Sequence, residues 1–172
     1  MTVKPVKRLR LNLQPLTDEA FSPFGEVIQK QGHYPKEINY GQTRKFAHLA
    51  EIDTGENEGK AVIHIYRSRP VSLPFRIEVM EKHPLGSQLF FPLHNRPFPL
   101  VVAPPSEQLD IESIQGFITN GEQGVNLHRG VWHHYQITLE ESSDYLVIDR
   151  SGPGDNLVES YLDVPVFIEG VV

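Results

Sequence analysis

Phe75-Arg76-Ile77-Glu78-Val79-Met80-Glu81-Lys82-His83 is a run in which apolar and charged residues take turns. A period of two is the mark of a strand with one buried face. Phe75, Ile77 and Val79 share that face, and Glu81 and His83 continue it, while Arg76, Glu78 and Lys82 turn outward. The alternation predicts an apolar stripe that ends in a carboxylate and an imidazole pointing the same way. A glutamate on a buried face is costly unless it is paired or binds something. Comparable pieces lie on either side: Ala61–Tyr66, Ser87–Leu93, Leu100–Ala103, Phe117–Asn120, Gly124–Leu127, His134–Leu139 and Asp144–Asp149. Each is rich in β-branched, aromatic or alternating residues and is bounded by turn formers, among 14 prolines and 13 glycines. Many short strands with frequent turns predict a mainly β chain, a barrel or a sandwich, with a few short helices. The helical signals are Thr17–Phe21, with Thr17 as cap, and Ser106–Ile111.

Two further strands carry candidate chemistry. In His133-His134-Tyr135-Gln136-Ile137-Thr138-Leu139 the apolar face is Tyr135, Ile137 and Leu139, so His133 is expected to point inward and His134 outward. A lone inward histidine is as often a hydrogen-bonded core residue as a working one. In Ala61-Val62-Ile63-His64-Ile65-Tyr66-Arg67, the face of Ala61, Ile63 and Ile65 leads to Arg67. An inward, partly buried Arg67 suits a carboxylate ligand, because its planar fork donates two parallel hydrogen bonds. An internal salt bridge from Arg67 to Glu81 or Asp149 is the competing expectation.

Composition narrows the partners. Residues 1–172 suffice for one well-buried core and read as a single domain. There are no cysteines, which removes disulfides, thiolate metal sites and cysteine nucleophiles together. A net charge of −6 argues against nucleic acid, which needs a basic stripe. No stretch approaches the roughly 20 apolar residues of a membrane span, and the basic start, Lys4, Lys7, Arg8 and Arg10, lacks the apolar run of a secretory signal. A cytoplasmic protein acting on a small molecule is the expectation. The polar stretches Gln29–Thr43 and Asp53–Lys60 read as surface excursions.

Spacing adds specificity. Glu122 to His133 resembles the second cupin motif, G-x5-P-x-G-x2-H, with Gly130 at its glycine, His133 at its histidine and His128 in place of its proline. Glu81-Lys82-His83 followed by Gln88 resembles the first, G-x5-H-x-H-x3,4-E-x6-G, with Glu81 replacing a histidine and Gln88 the carboxylate. Glu81, His83, Gln88 and His133 together make a set that could bind a divalent ion such as Zn²⁺, Mn²⁺ or Ni²⁺.

Longer blocks carry a closer resemblance. Glu81-Lys82-His83-Pro84-Leu85-Gly86-Ser87-Gln88, the run from Phe117 to His134, Leu16 to Ile28, and Asp144 to Arg150 are similar to the signature blocks of the ureidoglycolate lyase family. Residues 1–10 have no counterpart in that pattern and read as a disordered lead or an extra edge strand. The resemblance implies a cupin-like β-barrel or double-stranded β-sandwich, often a homodimer, that cleaves (S)-ureidoglycolate to glyoxylate and urea in purine breakdown. It implies a divalent metal, nickel or zinc, and no organic cofactor. His83, His133 and Glu81 are then the expected acid–base residues or metal ligands. Arg67 would hold the substrate carboxylate, and Gln88 or Asn126 the ureido group. A cupin with other metal-dependent chemistry, or a non-catalytic barrel binding a small acid, would share the fold. The apolar tail Val164-Pro165-Val166-Phe167-Ile168 either pairs across a dimer interface or closes the barrel.

Overall fold

The computed structural model describes residues 8–171, and these are mainly β. Thirteen strands follow one another: β1 (Leu9–Pro15), β2 (Gly25–Ile28), β3 (Lys36–Ile38), β4 (Thr43–Lys45), β5 (Lys60–Ser68), β6 (Phe75–Lys82), β7 (Gln88–Pro92), β8 (Pro99–Ala103), β9 (Gln115–Ile118), β10 (Gly124–Leu127), β11 (Trp132–His133), β12 (Ser143–Ser151) and β13 (Val158–Val171). Six of them close into a ring in the order β1-β13-β6-β11-β8-β9. Five form a second sheet, β2-β10-β7-β12-β5, and β3 pairs with β4 in a separate hairpin. The barrel-and-sheet architecture agrees with the cupin-like expectation.

One strand of the ring, β8, is buried on both faces. Its five residues are all apolar and all buried. Leu100 and Val102 join a cluster with Phe90, Val125, Leu127 and Val147 of the five-stranded sheet, so they fill the space between ring and sheet. Val101 and Ala103 join Leu11, Met80, Trp132, Val166 and Ile168, a cluster built from the ring strands and their connections. Alternation along one strand therefore feeds two cores.

One short α-helix, Asp18–Phe21, seals the first core. Thr17 Oγ1 accepts from the Ala20 amide at 3.2 Å, the cap expected from the sequence. Phe21 then meets Phe117 edge-on, with ring centroids 5.3 Å apart. The second expected helix does not form. Ser106 Oγ donates to the Gln108 carbonyl and accepts from Trp132 Nε1, and a 3-10 turn at Ile111–Ser113 begins later, capped by Asp110.

Other expectations need correction. His134–Leu139 is not a strand; β11 ends at His133, and beyond it only Thr138 makes an isolated bridge, to Pro70. The apolar tail lies within β13, where Val166 and Ile168 are fully buried and pair with both β1 and β6. It closes the ring, the second of its two expected roles. Leu9 and Arg10 belong to β1, which is flanked on both sides by β13 and β9 rather than lying at an edge. The rest of the 1–10 lead, residues 1–7, lies outside the described residues.

Register in the five-stranded sheet decides which side chains face the core, since cross-strand partners share a face. Tyr145 and Val147 are buried, and they stand opposite Tyr66 and His64 of β5. Val147 also stands opposite Phe90. Tyr66, His64, Phe90, Gln88 and Asp149 therefore look inward. Ile63, Ile65 and Arg67 look outward.

Candidate active site

Glu81 and His133 are direct cross-strand partners, on β6 and β11. Their neighbours Met80 and Trp132 belong to the ring's own cluster, so Glu81 and His133 point the other way, toward the five-stranded sheet. The expected outcome holds for Glu81, but the expected stripe does not lead to it. Ile77 and Met80 are both fully buried in one cluster, so the alternation slips between them, where β6 meets an irregular register against β13. His83 follows just beyond the strand, and its ring centroid lies 5.2 Å from that of His133.

Each imidazole has one nitrogen occupied and one free. His83 Nδ1 lies 2.7 Å from the Asn156 carbonyl and His133 Nδ1 lies 3.2 Å from the His134 carbonyl. A carbonyl only accepts, so both Nδ1 atoms carry a proton, and in a neutral ring it is Nε2 that presents the lone pair. Both Nε2 atoms are buried with no hydrogen-bond partner, and Gln88 Oε1 shares that condition. Glu81, His83 and His133 each offer a ligand atom, and these atoms lie within 4.8 Å of one another. A carboxylate and two imidazoles at that spacing, with an unpartnered amide oxygen on the same cavity, are a donor set that fits a divalent cation.

Burial sets the protonation states. His133 is held down at about 3, first by burial and then by the neighbouring His83. It is neutral near pH 7, so the 3.9 Å approach of Glu81 to its Nδ1 is a dipolar contact rather than an ion pair. The Glu81 carboxyl is raised, first by burial and further by the negative charges of Glu159 and Asp149, with His83 opposing. Tyr66 is raised by burial and by the charges of Asp149 and Glu81, which keeps its hydroxyl a donor.

A cavity of about 590 Å³ opens in front of this group, lined by Glu81, His83, Gln88, Tyr66, Phe90 and Asp149. His133 lies one layer deeper, behind Phe90 at 6.4 Å between ring centroids. Four expected site residues, Glu81, His83, Gln88 and His133, are thus brought together. Two are not. Arg67 stands on the cavity's rim with its side chain 75% exposed, its guanidinium held in two parallel hydrogen bonds by Asp144, its register partner. Neither Glu81 nor Asp149 is its counter-ion. Asn126 is fully buried on the sheet's outer face, where its amide donates to Glu26 Oε2 and to the Glu51 carbonyl. His134 points away from the cluster as expected, but it is 6% exposed rather than solvated, edge-on to Phe75 and held down at about 4 by burial.

Tyr66 and Asp149, with Phe90, Tyr135 and Gln136, are among the lining residues that sequence reasoning missed as site residues. In β5 the more apolar residues, Ile63 and Ile65, are 70% and 58% exposed, against 37% for Tyr66 on the opposite face. Choosing the greasier face as inward placed Arg67 inside and Tyr66 outside. Only the pairing with β12 reverses that choice.

The comparisons with known proteins point one way. The family model described as ureidoglycolate lyase matches residues 8–169. The chain is 48% identical over 152 residues to a ureidoglycolate lyase of Pseudomonas syringae pv. syringae (strain B728a), covering 88% of this chain and 89% of that one. It is 48% identical over 152 residues to one from Burkholderia mallei (strain NCTC 10229), covering 88% and 89%. For the ureidoglycolate lyase of Pseudomonas putida (strain W619) it is 48% over 151 residues, covering 88% and 90%. With its ring closed and Glu81, His83 and His133 gathered within reach of one another, this chain belongs to the ureidoglycolate lyase family.

Proposed function

We infer that the chain is a carbon–nitrogen lyase that cleaves (S)-ureidoglycolate to glyoxylate and urea. The observation that carries this reading is the convergence of free acceptors, His83 Nε2 and Gln88 Oε1 with the Glu81 carboxylate, at one cavity. The reaction is the reverse of adding urea to an aldehyde. The substrate hydroxyl loses its proton, the electrons of that bond form the aldehyde C=O, the C–N bond breaks, and the departing nitrogen gains a proton. Nothing is oxidised or reduced.

His83 is the group suited to take the hydroxyl proton. Its Nδ1–H is anchored on the Asn156 carbonyl, which fixes the ring and leaves Nε2 as the acceptor. Glu81, with its carboxyl raised, is suited to return a proton to the urea nitrogen, and groups in such roles contribute about 10²–10⁴-fold each. His133 is too weak a base for that task, so it serves as a neutral lone-pair donor. Gln88 Oε1 faces the ureido N–H groups. Because Arg67 is turned outward, the Tyr66 hydroxyl takes the role of donor to the substrate carboxylate.

With a divalent ion, Ni²⁺ or Zn²⁺, present, Glu81, His83, His133 and Gln88 would hold it in place of the metal-free proton-transfer and ureido roles just given, and the ion would supply Lewis-acid polarisation of the substrate's oxygens. The protein we envisage is a single domain over residues 1–172, in the cytoplasm, in keeping with the lack of cysteine. Among the described residues no helix is long and apolar enough to cross a membrane. Homodimer formation through the outer face of the five-stranded sheet would cover Ile63 and Ile65.

The test is urea release from ureidoglycolate, corrected for spontaneous breakdown, with and without chelator. Wild-type protein should release urea, and Glu81→Gln and His83→Asn should each lower kcat by about 10²-fold or more with the fold retained. Full activity in either variant removes that residue from the mechanism. No enzymatic release by the wild type, before and after loading with Ni²⁺, sinks the reading.

A further inference from the structure

Gln88 carries an amide whose two ends are almost the same shape, so sterics alone do not decide which end faces the cavity. The hydrogen-bond partners do. Asp149 Oδ1 accepts from the backbone amide of Arg150 at 2.7 Å, and Oδ2 accepts from Gln88 Nε2 at 3.2 Å. An ionised carboxylate offers acceptors only, so Gln88 must turn its NH₂ to Asp149. Its carbonyl oxygen is then left buried without a partner, on the inward face that also holds Phe90.

We propose that Asp149 is a positioning residue, holding the Gln88 carbonyl oxygen toward the Glu81–His83–His133 group so that it completes an all-acceptor site for a divalent cation. The proposal rests on the cation fit described above and adds the residue that makes an amide behave as a ligand. Without it the amide would be free to present two N–H donors, which repel a cation. Asn at position 149 has one acceptor for two claimants. The shorter bond, to the Arg150 amide, takes it, and the Asn NH₂ then faces Gln88 and turns the amide round. Asp149 acts here through Gln88 and does not touch the cation.

The test is a double-mutant cycle read by calorimetry with Zn²⁺ on the full chain, freed of metal beforehand. The four proteins are the wild type, Asp149→Asn, Gln88→Leu, and the two combined, each checked for folding by circular dichroism. Asp149→Asn should weaken Zn²⁺ binding by about 10-fold or more when Gln88 is present, in line with the loss of a residue that orients a ligand. In the Gln88→Leu background the same substitution should cost much less, since only the general loss of one negative charge remains. Equal weakening in both backgrounds would show that Asp149 acts as a charge and not through Gln88, and overturns the proposal. Failure of the wild type to bind Zn²⁺ overturns it too. Calorimetry needs no turnover, so that failure is separable from an absence of urea release.

Discussion

Acidification should unfold this protein along a route set by two adjacent histidines. His133 and His134 are both buried, with folded-state pKa values of about 3 and about 4 against an ordinary value of 6.5. A histidine depressed in the folded state gives stability that is complete above pH 6.5 and is lost as pH falls, because the unfolded chain binds the proton first. Integrating between pH 7 and pH 5, each contributes a loss of about 2 kcal/mol, so the pair removes about 4 kcal/mol. Against a total stability of about 5–15 kcal/mol that is a large share. Glu81 works in the opposite direction, since its carboxyl is raised in the folded state and protonation there favours folding. A comparison with His134→Asn largely cancels this opposing effect, because His134 points away from the Glu81 group and packs on Phe75. The assay is guanidinium denaturation between pH 5 and pH 7 with chelator present, since a bound metal would add its own pH dependence. The variant should lose about 2 kcal/mol less than the wild type across that range, whatever its stability at pH 7. Parallel curves for the two proteins would refute the reasoning.

Arg67→Ala should leave kcat/KM for ureidoglycolate within about twofold of the wild type, because the guanidinium, exposed at the cavity's rim, is already held by Asp144; a large rise in KM would return Arg67 to the site. Phe117→Ala removes a fully buried ring that touches both Phe21 and Phe24, and should cost about 3–5 kcal/mol in guanidinium denaturation. Gly25→Ala should disrupt the pairing of β2 with β10, since a Cβ there would lie 2.0 Å from the Asn126 carbonyl oxygen. Its signature is a fall in melting temperature far beyond that of an exposed glycine such as Gly55, which has open space around it.

The class of fold was legible because turn formers and two-residue periods are local properties. Seven of the eight expected strands overlap β5, β6, β7, β8, β9, β10 and β12. The ring strands β1 and β13 surface in the sequence only as an alternative edge strand in residues 1–10 and an apolar tail that could close the barrel, since their pairing joins distant parts of the chain. Site residues were legible where only one face of a strand has an apolar neighbour across it, or where a motif fixed them. Glu81, His83, Gln88 and His133 came from spacing as much as from alternation. Arg67, Tyr66 and Asn126 were misplaced for one physical reason. In the five-stranded sheet the outer face is apolar too, at Ile63, Ile65, Leu89 and Ile148, so a period of two gives the pattern but not its phase. Register supplies the phase, and register is a property of pairs of strands. His134 was misjudged because the strand it was assigned to stops one residue earlier.

The ring that closes β1 against β13 has a consequence for how the chain is made. Leu9 and Arg10 are synthesised long before their partners Val166 and Phe167. Until then β1 has only β9 beside it, and Leu11 and Leu13, both buried in the finished barrel, lack the partners that Val166 and Ile168 later provide. Pairing of such high sequence separation is slow and keeps apolar edges uncovered while it waits. Synthesis halted before β13 would therefore yield an open sheet with an unpaired edge on β6 as well, prone to associate through those edges. β13 thus acts as the latch, and the ring stays open until that strand has been made.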